Sequence, residues 1–120
     1  MSRNLAPSTR QHRACEVLRD SIAKLFMHNP FHDPDLLGQR LTIDHVTISP
    51  DLKNAKIYLV SATLQNPENI LSALNRNTGF VRKHLARDIV MRSVPRISFA
   101  LDHSNQHQQR IDAILAQIRQ

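Results

Sequence analysis

The chain has 120 residues, with 16 lysines and arginines against 10 acidic residues and a formal net charge of +6. This length fits one domain with one hydrophobic core, and 41% hydrophobic with 22% charged residues excludes a disordered chain. The sequence contains neither an apolar run long enough to cross a membrane nor the apolar segment of a secretory signal. The single cysteine, Cys15, excludes an intrachain disulfide. We therefore expect a single domain over residues 1–120, ordered over about 8–118, in a reducing compartment.

The first predicted helix runs from Ser8 or Thr9 to His28. It should end at Asn29-Pro30, because the residue before a proline is disfavoured in the helical conformation. The stretch over 30–40 then holds two prolines, two aspartates and a glycine, and is predicted to be a loop. The prediction of this helix is based on apolar residues at helical spacing, which are Ala14, Val17, Leu18, Ile22, Leu25 and Phe26.

Two β-rich segments follow, Leu41–Ser49 and Ala55–Leu64. The short link between them consists of turn residues, so the two segments are predicted to form an antiparallel hairpin. Asp51 lies in this link, where its expected role is a hydrogen bond within the turn and not acid–base chemistry. Apolar residues change parity at Asp44-His45, which predicts either a β-bulge or a strand partly buried on both faces.

The middle of the chain predicts two short helices separated by a kink at Asn77, Thr78 and Gly79. Asn66 is the expected N-cap of the first helix, and Pro67 is its first residue. Thr78 is the expected cap of the second helix. The buried stripe of that second helix is predicted at Val81, Leu85 and Ile89.

The last two predicted elements are a strand and a helix. Arg96 to Asp102 alternates strictly, with apolar residues at every second position, and is predicted to be a half-buried strand. Ser104 then caps a predicted helix whose apolar stripe is Ile111, Ile114, Leu115 and Ile118. The resulting order is α-β-β-α-kink-α-β-α, which indicates an α+β domain with a three-stranded sheet.

Four motifs occur along this order. They are R-x-x-R at Arg10 and Arg13, the string VTISPDLKNAKIYL over 46–59, GFVR over 79–82, and MRSVP over 91–95 followed by FALDHS over 99–104. Together they closely resemble the ribosome-binding factor A family, whose domain has type II KH topology. The family often has alanine at the kink, where this chain has Asn77; asparagine accepts unusual turn conformations, so different chemistry is expected to hold the kink.

The resemblance implies a type II KH-like domain with an added C-terminal helix. It also implies a cytoplasmic, non-catalytic bacterial factor that binds free 30S small ribosomal subunits during late maturation and rRNA processing. Its expected contacts are with 16S rRNA near the 5′-end helix and the neck, and in this family the function is linked to growth in the cold. Release is associated with an assembly GTPase as a partner. No cofactor and no membrane are expected, and the protein should be a monomer.

Most KH domains hold nucleic acid with a G-x-x-G loop between the two middle helices. The corresponding residues here, 75–79, contain one glycine and no such motif, so readout of a single strand in the usual KH groove is not expected. What remains is charge. The net charge is +3 over residues 1–28, −1 over 29–66, +4 over 67–100 and zero over 101–120. Twelve of the 16 cations are arginine, whose planar fork suits phosphate.

The basic regions supply the candidate RNA-binding residues. An ordinary solvated polar face is the alternative for all of them, and Arg13 could instead pair with Glu16. Asp88 is the one acidic residue over 75–96, which favours phosphate contact. Lys53 and Lys56 are weaker candidates beside the hairpin turn. The main candidates are Arg10, Arg13, Arg76, Arg82, Lys83, Arg87, Arg92 and Arg96.

Metal and enzyme chemistry are not expected. The pairs His28/His32 and His103/His107 have i,i+4 spacing, but Pro30 separates the first pair and Ser104 starts a new helix within the second. Nothing near Cys15 in the sequence supplies a base or lowers its pKa. The alternative to an RNA-binding factor is a KH-like adaptor for another protein, using the apolar stripe of the last predicted helix.

Overall fold

A computed structural model describes residues 7–102. The described elements follow the predicted order, and the predicted C-terminal helix lies outside these residues. None of the described helices is long and apolar enough to span a membrane. The elements are α1 (Thr9–His28), β1 (Ile43–Ile48), β2 (Asn54–Val60), α2 (Pro67–Arg76), α3 (Thr78–Asp88) and β3 (Arg96–Asp102).

Helix α1 is held at both ends by local hydrogen bonds. The Ser8 hydroxyl accepts from the Gln11 backbone N–H at 3.2 Å, and the Gln11 side chain accepts from the Ser8 N–H at 2.8 Å, which is a capping box. Gln11 also donates to the Ile48 carbonyl at 3.0 Å, so the start of α1 is tied to the end of β1. At the other end Asn29 adopts a left-handed conformation with φ 42° and donates its N–H to the Leu25 carbonyl.

The sheet has the order β1-β2-β3, with an antiparallel first pair and a parallel second pair. The register of β1 shifts between Ile43 and His45, so the predicted bulge is confirmed. Strand β2 ends at Val60, and its predicted extension to Leu64 is wrong. The Leu64 N–H donates to the Ser61 carbonyl at 3.1 Å, which turns the chain away from the sheet.

One face of the sheet packs against the helices. Ile97, Phe99 and Leu101 of β3 are buried, as the alternation predicts, and the Phe26 ring of α1 lies 6.2 Å from the Phe99 ring. Helix α3 runs antiparallel to α1. Phe80, at the start of α3, packs on Phe31, which follows the end of α1, and their ring centroids are 5.3 Å apart. The chain after α3 then reaches the first turns of α1.

The kink between α2 and α3 is a single residue, Asn77, with φ −106° and ψ 20°. Its amide nitrogen donates to the Ala73 carbonyl at 2.7 Å and to Asp33 Oδ2 at 3.0 Å, so side-chain hydrogen bonds hold the kink. Thr78 is the first residue of α3, and its predicted role as cap is wrong because Asn77 occupies that position. Asn66 does precede α2, but it has φ 54° and makes no side-chain capping bond.

Candidate nucleic-acid interface

The antiparallel arrangement of α1 and α3 divides the predicted RNA-binding residues into two groups. The kink group comprises Arg76, Arg82, Lys83 and Arg87, on or beside α3. The cleft group comprises Arg10 and Arg13 of α1 together with Arg92, which follows α3, and Lys53 of the hairpin turn. Arg96 begins β3, where its N–H donates to the Lys53 carbonyl at 2.8 Å, so it lies beside the cleft group.

Arg76 is the most strongly compensated cation of the kink group. Its Nη2 atom donates to Asp33 Oδ2 at 3.0 Å and to Asp35 Oδ2 at 3.1 Å. These bonds raise the pKa of Arg76. The pKa of Asp33 is lowered, first by the hydrogen bond from the Asp35 backbone N–H and then by Arg76 and Asn77. The charge of Arg76 is therefore balanced within the protein.

Arg82 also has internal partners. Its Nε donates to the Pro95 carbonyl at 3.2 Å and its Nη2 to the Val94 carbonyl at 3.0 Å, which fastens α3 to the chain entering β3. Lys83 and Arg87 are exposed, and within residues 7–102 neither side chain has a hydrogen-bond or ion-pair partner. The kink group thus retains two uncompensated cations.

A cleft of about 260 Å³ lies between the first turns of α1 and the chain after α3, and two members of the cleft group, Arg10 and Arg13, are among its lining residues. Its walls are largely apolar, and Val90 is fully exposed while Val17 is 36% exposed. The remaining lining residues are Thr9, Arg10, Arg13, Ala14, Leu52 and Met91. The Arg13–Glu16 pair considered from the sequence does not form a salt bridge in the described chain, so Arg13 remains without an acidic partner there.

A second hollow of about 400 Å³ adjoins the first and is lined by Arg10, Lys53 and Arg92 as well as Asp51. Asp51 accepts from the Ser49 hydroxyl at 2.6 Å and from the Lys53 N–H at 3.1 Å, so its predicted turn bond is confirmed. The Ser49 bond is the main reason that the pKa of Asp51 is lowered. The one acidic residue of this hollow is thus engaged within the turn.

The sequence did not reveal a cluster of Asp44, His45 and Asp102 on the sheet. Their ligand-type atoms lie within 4.8 Å of one another, and His45 Nδ1 lies 2.6 Å from Asp44 Oδ2. The bulge in β1 brings Asp44 and His45 together, and His45 also stacks on Tyr58 at 4.3 Å. Carboxylate and imidazole groups are ligands that a divalent cation accepts. Here Asp44 instead serves as the hydrogen-bond partner of His45.

Other predictions about reactive groups have mixed outcomes. Burial raises the pKa of the Cys15 thiol, which opposes thiolate formation, as the sequence suggested. His28 is the last residue of α1 and Asn29 is left-handed, so His28 and His32 do not share a helix. The pair His103/His107 and the apolar stripe of the last predicted helix lie outside the described residues.

The fold defines the class of protein. An α-β-β-α-α-β domain with a mixed three-stranded sheet and adjacent middle helices is KH-like, and here a one-residue kink leaves no place for the glycine loop. The family model of ribosome-binding factor A matches residues 10–115. The chain therefore belongs to the ribosome-binding factor A family.

Two relatives illustrate the similarity. Ribosome-binding factor A of Paramagnetospirillum magneticum is 40% identical over 109 residues, which cover 91% of this chain and 77% of the relative. Ribosome-binding factor A of a Bradyrhizobium species is 36% identical over 108 residues, with 90% and 78% covered.

Solved structures agree with this assignment. The crystal structure of ribosome-binding factor A from Thermus thermophilus matches with a TM-score of 0.66 and 26% identity, covering 78% of this chain and 97% of that one. A homology model of the Thermus thermophilus factor, fitted into a cryo-EM map of its complex with the 30S subunit, matches with a TM-score of 0.58 and 26% identity. That match covers 72% of this chain and 89% of the fitted one.

Proposed function

We propose that this protein binds free 30S small ribosomal subunits in the cytoplasm during late assembly and acts without catalysis. The observation that carries the proposal is the set of exposed cations without internal partners, in a chain of this family. Arg10, Arg13, Lys83, Arg87 and Arg92 have no acidic partner within residues 7–102. Such cations can contact phosphates without breaking an internal ion pair. The contact is favourable because it releases counterions from the nucleic acid.

The relative fitted into a 30S complex supports the choice of target. By analogy with that complex, the partner of this chain is the small subunit. From the uncompensated cations we further propose that the groups contacted are phosphates of 16S rRNA. We extend the proposal to the 5′-end helix and the neck region, to a role in rRNA processing, and to release by an assembly GTPase. The acting form is a monomer.

The mechanism we propose is recognition of folded rRNA by shape and charge. A KH domain that reads a single strand uses its glycine loop to approach the backbone closely. The kink of this chain has no loop, and Asn77 uses its side chain to hold the kink itself. The phosphate contacts must therefore come from side chains, most of them on helices α1 and α3, which suits a fixed arrangement of rRNA elements better than a flexible strand.

Co-sedimentation with purified free 30S subunits, across a salt series, tests this function. We expect association to fall steeply with salt, because each phosphate contact adds to the salt dependence. Intact ribosomes serve as the comparison and should retain less protein. Binding that does not respond to salt, or no binding to the free subunit, would contradict the proposal.

A double variant tests the residues. Lys83→Glu with Arg87→Glu should weaken association and lower the salt slope by about two. Arg82 is left unchanged, because its bonds to the Val94 and Pro95 carbonyls mean that its loss would also disturb the fold. The matched control is Arg19→Glu with Arg40→Glu, which reverses two exposed cations outside both groups. Equal loss in the control and in the double variant would show a response to net charge alone and would remove these two residues from the site.

A further inference from the structure

The cleft group differs from an ordinary basic patch because two of its members, Arg10 and Arg13, line a largely apolar hollow. Val90 is fully exposed and Val17 is partly so, and exposed apolar side chains that lie together often mark an interaction site. Met91 and Leu52 pack on the edge of the core and form the remaining apolar lining. The cleft therefore offers apolar contact area that nothing in the described chain covers.

Cations lie in the lining of the cleft and in the hollow that adjoins it. Arg10 and Arg13 belong to the lining of the apolar hollow, and Arg10 is shared with the adjoining hollow that contains Arg92 and Lys53. The single acid in the adjoining hollow, Asp51, already accepts two hydrogen bonds within its turn. An occupant that fits must combine an apolar, compact part with negative charge beside it.

We propose that this cleft receives one unpaired nucleobase of RNA, with the flanking phosphates held by Arg10, Arg13 and Arg92. This inference rests on the proposed function and deepens it. A base has two apolar faces and carries an anionic phosphate on each side, which matches a largely apolar hollow with arginines in its lining and beside it. Unpaired bases turned out of a folded RNA are the usual targets of such pockets, and arginine guanidinium planes can stack on them.

An acidic protein segment with an apolar anchor is the competing occupant. The favoured choice is RNA, because the arginines that line or adjoin the hollow are the same cations proposed to contact rRNA, and a nucleotide places a phosphate on each side of its base. The cleft also lies away from the kink, where KH domains carry their glycine loop. It would thus be a second kind of contact, in addition to phosphate binding on the outer face of α3.

The test measures whether the base itself contributes to binding. A short RNA hairpin with one bulged nucleotide is compared with the same hairpin carrying an abasic ribose at the bulge, and affinities are taken from fluorescence anisotropy. For the wild type we expect the abasic RNA to bind roughly fivefold more weakly. For Met91→Gln and for Val90→Ser that difference should shrink toward none, while the salt slope stays unchanged because the cations are intact.

Matched variants separate the alternatives. Met27→Gln makes the same change at an exposed methionine near the other end of α1 and should keep the full abasic penalty. Val90→Ser removes a side chain that is already exposed, so it keeps the test valid should Met91→Gln disturb the fold. An equal abasic penalty in Val90→Ser, Met91→Gln and the wild type would overturn the proposal.

Two further outcomes would indicate a different occupant of the cleft, and each would also overturn the proposal. Variants that keep the abasic penalty but lose association with the 30S subunit would indicate a protein occupant. Variants that lose thermal stability with RNA binding unchanged would indicate that the cleft is covered by this chain's own residues. The proposed function fails separately, if the wild type does not bind the free subunit at any salt concentration. If the wild type binds the subunit but shows no abasic penalty, only the proposal for the cleft is rejected.

Discussion

The kink group and the cleft group look alike in the sequence but differ in what their cations contact. In the kink group Arg76 pairs with two carboxylates, and Arg82 donates to two backbone carbonyls. In the cleft group Arg10, Arg13 and Arg92 have no such partners in the described chain. The comparison shows that a count of nearby charges along the sequence does not reveal which cations are available to a partner.

The charge of Arg76 is compensated by residues that are far from it in the sequence. Asp33 and Asp35 lie in the loop after α1, more than forty residues before Arg76. Over residues 75–96 Asp88 is the one acidic residue, so the local sequence suggested that Arg76 was free. Tertiary contacts have converted Arg76 into a structural residue, whereas within residues 7–102 the cations around the cleft have no acidic partner.

The largest expected effect comes from reversing the cleft group. Arg10→Glu, Arg13→Glu and Arg92→Glu together should weaken association with the free 30S subunit by about a hundredfold, since three phosphate contacts become repulsive. These side chains are exposed, so the circular dichroism spectrum should not change. Co-sedimentation at fixed salt measures the effect.

The matched comparison sets Arg76→Gln in the kink group against Arg10→Gln in the cleft group. Because the charge of Arg76 is balanced by Asp33 and Asp35, its removal should change subunit binding much less than the removal of Arg10 does. Thermal stability is the second readout for Arg76→Gln and should fall. Equal losses of binding in the two variants would remove the distinction between the groups.

The sequence predicted the fold well, because each element carries its own local signal. The capping serine of α1, the parity change at the bulge and the alternation of β3 are all short-range features. The site was predicted as two basic regions, the first helix and residues 67–100, but the sequence did not place Arg92 with the cations of the first helix. Its division depends on α1 and α3 running antiparallel, which brings Arg92 beside Arg10, and no local pattern encodes that contact.

The second largest effect is expected at the kink. Asn77→Ala removes the bonds to the Ala73 carbonyl and to Asp33, and should lower the free energy of unfolding by about 1–2 kcal/mol. Chemical denaturation measures this change. Asn69→Ala is the control, since Asn69 is exposed on α2. A variant at Asn77 as stable as the control would mean that the amide does not hold the kink.

Acid should destabilise both regions through two carboxylates. In the folded protein the pKa values of Asp33 and Asp51 lie below the ordinary 3.8, so at acidic pH the unfolded chain binds more protons than the folded chain does. Their contribution to stability is complete above the ordinary pKa and is lost as the pH falls through the folded pKa. Unfolding measured between about pH 5 and pH 2 should show a shallower loss in Asp33→Asn and in Asp51→Asn. Slopes identical to the wild type would contradict the assigned bonds.

The smallest effect tests whether the kink also faces the partner. A Cβ built on Gly79 meets no atom within 4 Å, and its φ is not in the left-handed region, so nothing in the described chain requires glycine there. Gly79→Ala should therefore raise the free energy of unfolding by about 0.5 kcal/mol. Gly38→Ala, at φ +73°, should instead lower it by about 1 kcal/mol. If Gly79→Ala is more stable yet binds the 30S subunit less well, RNA approaches the kink closely. If binding is unchanged, contact with the partner is confined to the cleft group and the outer face of α3.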